Sequence, residues 1–336
     1  MVNLGGHRDV RGLSQSSSDP SGFPVPQDGQ ALSAPSKPDP RRIPMLNRSA
    51  LCVGINWYQH FPPATLHGCV NDAHDMASLL KDVLGFKDSD ITLMTDQAAT
   101  KVDILQELRR MVGGALAGRY NHLVFSFSGY GTQVPDLNLD EFDRADDAFC
   151  PHDLARLGSG WDRDHLIVDD ELHDLFVQLP STVLLELFFD TCHSGMGVGP
   201  MDLLMVRSPR YLAPPTVEGF REIEYRHARP AHQKLLEKGL SHHILWTACH
   251  ESQTAADALL EGAWHGAFTW HFCKEARASG NLFSRAKVLA KVRSDLHATH
   301  FTQTPQLYCE SIIRHAVLKA EALPVDLGPL PTVMPS

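Results

Sequence analysis

The sequence predicts an α/β fold: a mainly parallel central sheet of about six strands, sandwiched by helices on both faces. Three observations lead there. Apolar runs of strand length alternate along the chain with longer segments whose apolar residues recur at helical spacing. The strand candidates are apolar at nearly every position, the pattern of strands covered on both faces. Several of them stop abruptly at small polar tips, where open α/β sheets place their ligands.

The elements follow in order. Residues 1–46 are rich in Ser, Pro, Gly and Asp and read as a disordered arm. An ordered domain is expected over 47–323. Ala50 to Ile55 reads as a buried strand, followed by a polar loop through Asn56 and His60. Asn71 to Leu84 places Ala73, Met76, Ala77, Leu80 and Leu84 on one helical face and stops at Gly85. Asp90 to Met94 is a short strand. Val102 to Leu116 is a helix whose apolar side carries Ile104, Leu105, Leu108, Met111 and Val112. His122 to Phe127 is a strand closed by Ser128-Gly129-Tyr130-Gly131. Asp170 to Val177 reads as a helix, and Thr182 to Phe189 as the strand that runs into Asp190-Thr191-Cys192-His193-Ser194-Gly195. Residues 196–240 break the alternation with prolines and arginines and read as a long linker or insertion. The pattern resumes with strand Ile244 to Ala248, helix Ala267 to Ala276, helix Ser284 to Ala298 and a strand at Gln306 to Tyr308. A proline-rich tail over 324–336 reads as loose.

Composition narrows the function. The chain has 336 residues, 43% hydrophobic and 21% charged, as in a soluble globular protein. A net charge of −10 argues against general nucleic-acid or anionic-membrane binding. No apolar run reaches the roughly 18–20 residues a membrane span needs, and no signal-peptide apolar region is seen near the start. The 7 cysteines are odd in number and scattered, without a C-x-x-C pair, so neither a disulfide framework nor a structural zinc site is expected. A reducing, cytoplasmic setting follows as the expectation.

Three strand ends carry chemistry: Ser128 to Gly131, Asp190 to Gly195, and Ala248-Cys249-His250-Glu251-Ser252-Gln253. Parallel neighbours would bring these tips to one edge of the sheet. Together with Leu66-His67-Gly68-Cys69-Val70-Asn71-Asp72-Ala73 and Val168-Asp169-Asp170-Glu171-Leu172, they resemble the caspase-like peptidases, and specifically the metacaspase branch, from about Ala50 to Tyr308. The resemblance implies a caspase-like three-layer sandwich and a cysteine endopeptidase in which a histidine takes the proton of the Cys192 thiol.

At the position that the resemblance assigns to that histidine the chain carries Tyr130. A phenol of ordinary pKa near 10 is a poor proton acceptor at neutral pH, and losing a general base costs about 100- to 10,000-fold. Impaired activity is therefore expected. His193, His67 and His250 are candidate substitute bases, each also readable as an ordinary polar neighbour. The backbone N–H groups of Cys192 and of the Gly129–Gly131 loop would stabilise the oxyanion.

The resemblance also assigns Cys69, Asp72, Ser128 and Asp190 to the pocket for the residue before the cut. Two carboxylates there would select Arg or Lys. Peptide or protein substrates bearing basic residues are the implied partners. No cofactor is required. Ca²⁺ is a candidate, because Asp140, Glu141, Asp143, Asp146 and Asp147 form one acidic set and Asp169 and Asp170 another. Asp146, Asp169 and Asp170 match ligand positions of calcium-activated metacaspases, while Gly199 stands where a further aspartate is expected. In the linker Arg207, Arg210 and Arg226 are candidate processing positions. Two functions remain open: a cysteine endopeptidase cutting after Arg or Lys, or a catalytically silent domain that binds basic peptides as a regulator or scaffold.

Overall fold

The computed structural model describes residues 47–135, 145–193, 207–219, 243–250 and 252–319. The expected arm, the loose tail, most of the linker, and Asp140, Glu141, Asp143, Ser194, Gly195, Gly199, Arg226 and Glu251 lie outside them.

In chain order the strands are β1 (Arg48–Gly54), β2 (Ile91–Thr95), β3 (His122–Ser128), β4 (Gly131–Pro135), β5 (Ala145–Phe149), β6 (Arg156–Leu157), β7 (Gly160–Trp161), β8 (Ile167–Val168), β9 (Leu184–Asp190), β10 (Arg207–Pro209), β11 (His243–Thr247), β12 (Ala256–Leu260), β13 (Ala263–Gly266) and β14 (Gln306–Tyr308). The helices are α1 (Cys69–Asp82), α2 (Lys101–Leu116), α3 (Asp169–Phe176), α4 (Ala267–Ala278), α5 (Arg285–Ala298) and α6 (Ser311–Arg314).

The central sheet has six strands in the order β14-β11-β9-β3-β1-β2, as the alternation of elements predicts. All neighbours are parallel except β14, which runs antiparallel to β11. Every residue of β3 and β9 is buried, which explains why these strands read as continuous apolar runs. Side chains alternate between the two faces. On one, Leu51, Val53, Phe125, Leu187 and Phe189 meet Ile104, Leu108 and Met111 of α2 and Leu172 and Phe176 of α3. On the other, Ala50, Cys52, Val124, Phe188 and Trp246 meet Met76 and Leu80 of α1, Phe268 and Phe272 of α4 and Val288 and Leu289 of α5. Helices thus cover both faces.

Helix starts follow capping chemistry. Thr100 and Ser284 accept the backbone N–H of Asp103 and Lys287, satisfying first-turn donors of α2 and α5. Glu171 reaches back to the N–H of Val168 at the start of α3.

Two small sheets, β4-β5-β8 and β10-β12-β13, and the β6-β7 ribbon were not foreseen, because strands of two to five residues carry too few positions to show a period. The stretch read as a linker or insertion carries an element that its sequence did not announce. Its residues 207–219 are described, and Arg207–Pro209 forms β10, antiparallel to β12, within a sheet that borders the site.

Candidate active site

The parallel register brings three strand ends together. Ser128 at the end of β3 lies opposite Asp190 at the end of β9, and Phe189 lies opposite Thr247 of β11. Cys192 follows β9 by two residues, Gly131 opens β4 just past β3, and Cys249 follows β11.

Gly131 and Cys192 are in close contact. A Cβ at Gly131 would overlap the carbonyl of Cys192 and crowd the Thr191 hydroxyl, so only glycine lets this loop approach the thiol-bearing tip. The thiol of Cys192 donates to the Gln253 carbonyl at 2.7 Å and lies 3.4 Å from the Cys249 sulfur. Its contact with Cys192, followed by burial, pushes the Cys249 thiol well above its ordinary pKa.

Arg210 fills the pocket beside this tip with no exposed surface. Its Nη2 donates to Asp72 Oδ2 at 2.6 Å and to Asp257 Oδ1 at 3.0 Å. Its Nη1 donates to Ser128 Oγ at 2.8 Å and to the Asp190 carbonyl at 3.1 Å, and pairs with Asp190 Oδ1 at 3.3 Å. The same residue's backbone carbonyl accepts the N–H of Gly131 at 3.1 Å and of Cys192 at 3.3 Å. Its N–H donates to the Ala255 carbonyl, and beyond it the N–H of Leu212 donates to the Gly131 carbonyl. The segment 207–212 therefore lies across the strand tips as an extended peptide, with a guanidinium in the acidic pocket and a carbonyl between two converging N–H donors.

The carboxylates are held from behind. Asp72, one turn into α1, accepts the Ser128 hydroxyl at 2.8 Å and the Gly266 N–H at 2.9 Å. Burial alone would push its carboxyl up. The charge of Arg210, the nearby His265 imidazole and hydrogen bonds from Ser128 and Arg210 outweigh that and hold it below the usual range. Asp190 accepts the N–H and hydroxyl of Thr269, at 2.9 and 2.7 Å. Burial dominates there, against the pull of Arg210, and its carboxyl is pushed up to about 6. Asp257 accepts the N–H groups of His67 and Gly68 at 2.8 and 3.0 Å, so its oxygens are aimed at the guanidinium. Cys69 begins α1 fully buried, with its thiol pushed up by burial and the Arg210 charge opposing.

Asp257 is the pocket residue that sequence reading missed. It sits in the small-residue run Thr254-Ala255-Ala256-Asp257-Ala258, and nothing in its surroundings marks it. From the sequence Arg210 reads only as one of three candidate processing positions, and its burial was not legible there.

The substitute-base candidates take other partners. His193 sets its Nδ1 3.2 Å from the Ala148 carbonyl and packs edge-on to Phe149. His67 lies edge-on to Trp264 at 4.7 Å. His250 has its Nδ1 3.1 Å from the Ser252 hydroxyl. Tyr130 is nearly buried among apolar side chains, its N–H donating to the Tyr58 hydroxyl at 2.9 Å and its ring tilted against Tyr58 at 5.4 Å. Burial, followed by nearby Cys69 and Asp257, pushes its phenol far above the ordinary value, so it is neutral near pH 7.

The calcium expectation finds a different arrangement. Asp146, fully buried, takes the Arg163 guanidinium at 2.7 Å, and Asp169 and Asp170 open α3. Among the described residues no group of three or more His, Cys, Asp or Glu side chains could hold a metal ion. No helix among them is long and apolar enough to cross a membrane.

A doubly covered, mostly parallel six-stranded sheet with a thiol-bearing strand tip, whose N–H converges with that of Gly131 on one carbonyl, has the features of the caspase-like class of cysteine peptidase folds. Solved structures agree on the fold. A protein of Geobacter sulfurreducens matches with a TM-score of 0.56 at 22% identity, over 81% of this chain and all of that one. Caspase-1 from Spodoptera frugiperda matches with a TM-score of 0.51 at 12% identity, over 84% of this chain and 93% of that one. Residues 48–200 match the family model described as metacaspase, peptidase C14 domain. Metacaspase-1A of Aspergillus clavatus is 31% identical over 298 residues, covering 78% of this chain and 66% of that protein. Metacaspase-1A of Aspergillus fumigatus is 30% identical, covering 78% of this chain and 68% of that protein. This chain belongs to the metacaspase family, and it spans about two thirds of the length of these relatives.

Proposed function

We propose that the chain is a cysteine endopeptidase that cuts after basic residues, arginine above lysine, and that its own Arg210–Tyr211 bond is the first one presented to Cys192. One observation carries this reading. Arg210 places its guanidinium among Asp72, Asp190 and Asp257 while its carbonyl oxygen accepts the N–H groups of Cys192 and Gly131. A planar fork among several carboxylates suits arginine better than the point charge of lysine.

In the reaction, the Cys192 thiolate attacks the carbonyl carbon that follows the arginine side chain. The C=O electron pair moves onto oxygen, where the Cys192 and Gly131 N–H groups stabilise the developing charge. Collapse breaks the C–N bond, the departing amine takes up, through solvent, the proton that the thiol gave up, and a thioester to Cys192 remains for water to hydrolyse. The thiol must first lose its proton, and the buried neutral phenol of Tyr130 is a donor, ill suited to accept it. Turnover is therefore slow, by about 100- to 10,000-fold relative to a site with an imidazole in place.

That same phenol favours a second reading, in which the pocket binds basic peptides without cutting them and serves regulation. Fluorogenic peptides ending in Arg, Lys or Asp, assayed on Arg210→Ala, whose acidic pocket is open, from pH 6 to 10 with and without Ca²⁺, separate the two. Arg-directed cleavage lost when Cys192→Ala is added supports the peptidase. Binding without cleavage, with Tyr130 and with Tyr130→His alike, supports the second reading.

A further inference from the structure

The acidic pocket is not the only place where segment 207–212 is gripped by its charge. Arg207, three residues before Arg210, lays its guanidinium over the ring of Phe301, 3.7 Å from the centroid. Its Nη1 donates to the His300 carbonyl at 2.7 Å and its Nη2 to the Thr299 carbonyl at 3.0 Å.

These acceptors stand where they do because of how α5 ends. Phe301 N–H returns to the Leu296 carbonyl and His300 N–H to the His297 carbonyl, while His300 takes a left-handed φ of 61°. That is the Schellman pattern, and it turns the last carbonyls away from the helix axis. The carboxyl end of a helix also carries partial negative charge, which favours a cation.

The groove is fixed relative to the rest of the cleft. Gln303, in its wall, accepts the Ala256 N–H at 3.0 Å and donates to the Ala248 carbonyl at 2.9 Å. Ala256 belongs to β12, the strand that pairs with Arg207–Pro209. One rigid ladder therefore sets the spacing between the groove and the acidic pocket. Between the two arginines, Pro209 is exposed and Ser208 half-buried; Arg207 is half-buried too, so it is held by its carbonyl and ring contacts while Arg210 alone is enclosed. The groove adjoining Arg207, whose wall includes His300, Phe301 and Gln303, has a volume of about 740 Å³. Arg293, also in its wall, is turned to the Pro305 carbonyl and the Gln306 side chain, so its charge is engaged elsewhere.

We propose that Phe301 with the carbonyls of Thr299 and His300 forms a second basic subsite, so that the cleft takes peptides of the form Arg-x-x-Arg and addresses the bond after the second arginine. This rests on the reading of the Arg210 pocket, and it adds a requirement at a separate position.

The test uses the full chain carrying Arg207→Ala and Arg210→Ala, which removes the two side chains that fill the paired sites, and Cys192→Ala, which prevents turnover. Fluorescein-labelled Arg-Ser-Pro-Arg, Ala-Ser-Pro-Arg and Arg-Ser-Pro-Ala are titrated by anisotropy. The expected result is that Ala-Ser-Pro-Arg binds about tenfold more weakly than Arg-Ser-Pro-Arg, and that adding Phe301→Ala brings the two close to equal. Equal binding of those two peptides to the Phe301-containing protein overturns the subsite. Equal binding of Arg-Ser-Pro-Ala and Arg-Ser-Pro-Arg instead overturns the acidic-pocket reading, and no binding by any peptide overturns both. Should the triple variant not fold, amide exchange of residues 207–212 is compared between wild type and Phe301→Ala. Faster exchange in the variant supports the subsite, and unchanged exchange overturns it.

Discussion

The backbone N–H of Cys192 donates to the carbonyl oxygen of Arg210 at 3.3 Å, and that carbonyl belongs to the residue whose guanidinium fills the acidic pocket. The Cys192 tip and the Arg210 carbonyl are thus already in register within one chain. The cleft is occupied by its own segment.

Removing the occupant's charge should expose the cost of the pocket. Arg210→Ala leaves Asp72, Asp190 and Asp257 buried without their shared cation, and breaking such a set costs about 3–5 kcal/mol. Urea unfolding at pH 7 checks this. An Arg-ended peptide at 100 times its Kd should restore about 2.7 kcal/mol to the variant and little to the wild type, whose pocket is already filled.

Gly131→Ala should separate fold from chemistry. The added Cβ would overlap the Cys192 carbonyl, so the loop must move and its N–H leaves the Arg210 oxygen. Loss of one such donor costs about 100- to 1,000-fold in rate. Cleavage of Arg-ended peptides in a Tyr130→His background reads this, and an unchanged rate would remove Gly131 from the oxyanion site.

Much of this was legible in the chain, and the limits have physical causes. Strands β1, β3, β9 and β11 announce themselves because both faces are covered, leaving apolar runs with sharp polar ends. Those ends gave Ser128, Asp190 and Cys192, and the parallel sheet brings them together. Asp257 was illegible because its role depends on Arg210, a residue distant in sequence, and on backbone donors of His67 and Gly68. The proline-interrupted stretch around Arg207 reads as linker because strand pairing with β12 leaves no local period in three residues.

Glu186 is the signal that could have been read and was not. A carboxylate in Leu184-Leu185-Glu186-Leu187-Phe188-Phe189 must find a partner once buried. It accepts from Arg285 Nε at 3.2 Å and from Trp246 Nε1 at 3.1 Å.

That pair predicts acid behaviour. Burial would raise the Glu186 carboxyl, but the charge of Arg285, then His122, outweigh it and hold it down to about 2, against an ordinary 4.5. A depressed carboxyl stabilises the fold above its unfolded pKa, and the contribution is lost as pH falls from about 4.5 toward 2. The loss amounts to about 3 kcal/mol. Glu186→Gln should be less stable at pH 7, with the gap to wild type closing across that window in urea titrations. A gap that stays constant from pH 7 to 2 would contradict the assignment.

The most direct measurement is the identity of the fragments that Tyr130→His produces from its own chain. Purified wild type, Tyr130→His and Tyr130→His with Cys192→Ala are incubated at pH 7.5 and followed by intact mass and amino-terminal sequencing. Wild type should stay largely whole, and Tyr130→His should release a fragment beginning at Tyr211. Adding Cys192→Ala should abolish that release. A new amino terminus elsewhere, or release at Tyr211 that persists without Cys192, would rule out Arg210–Tyr211 as the bond that Cys192 cuts.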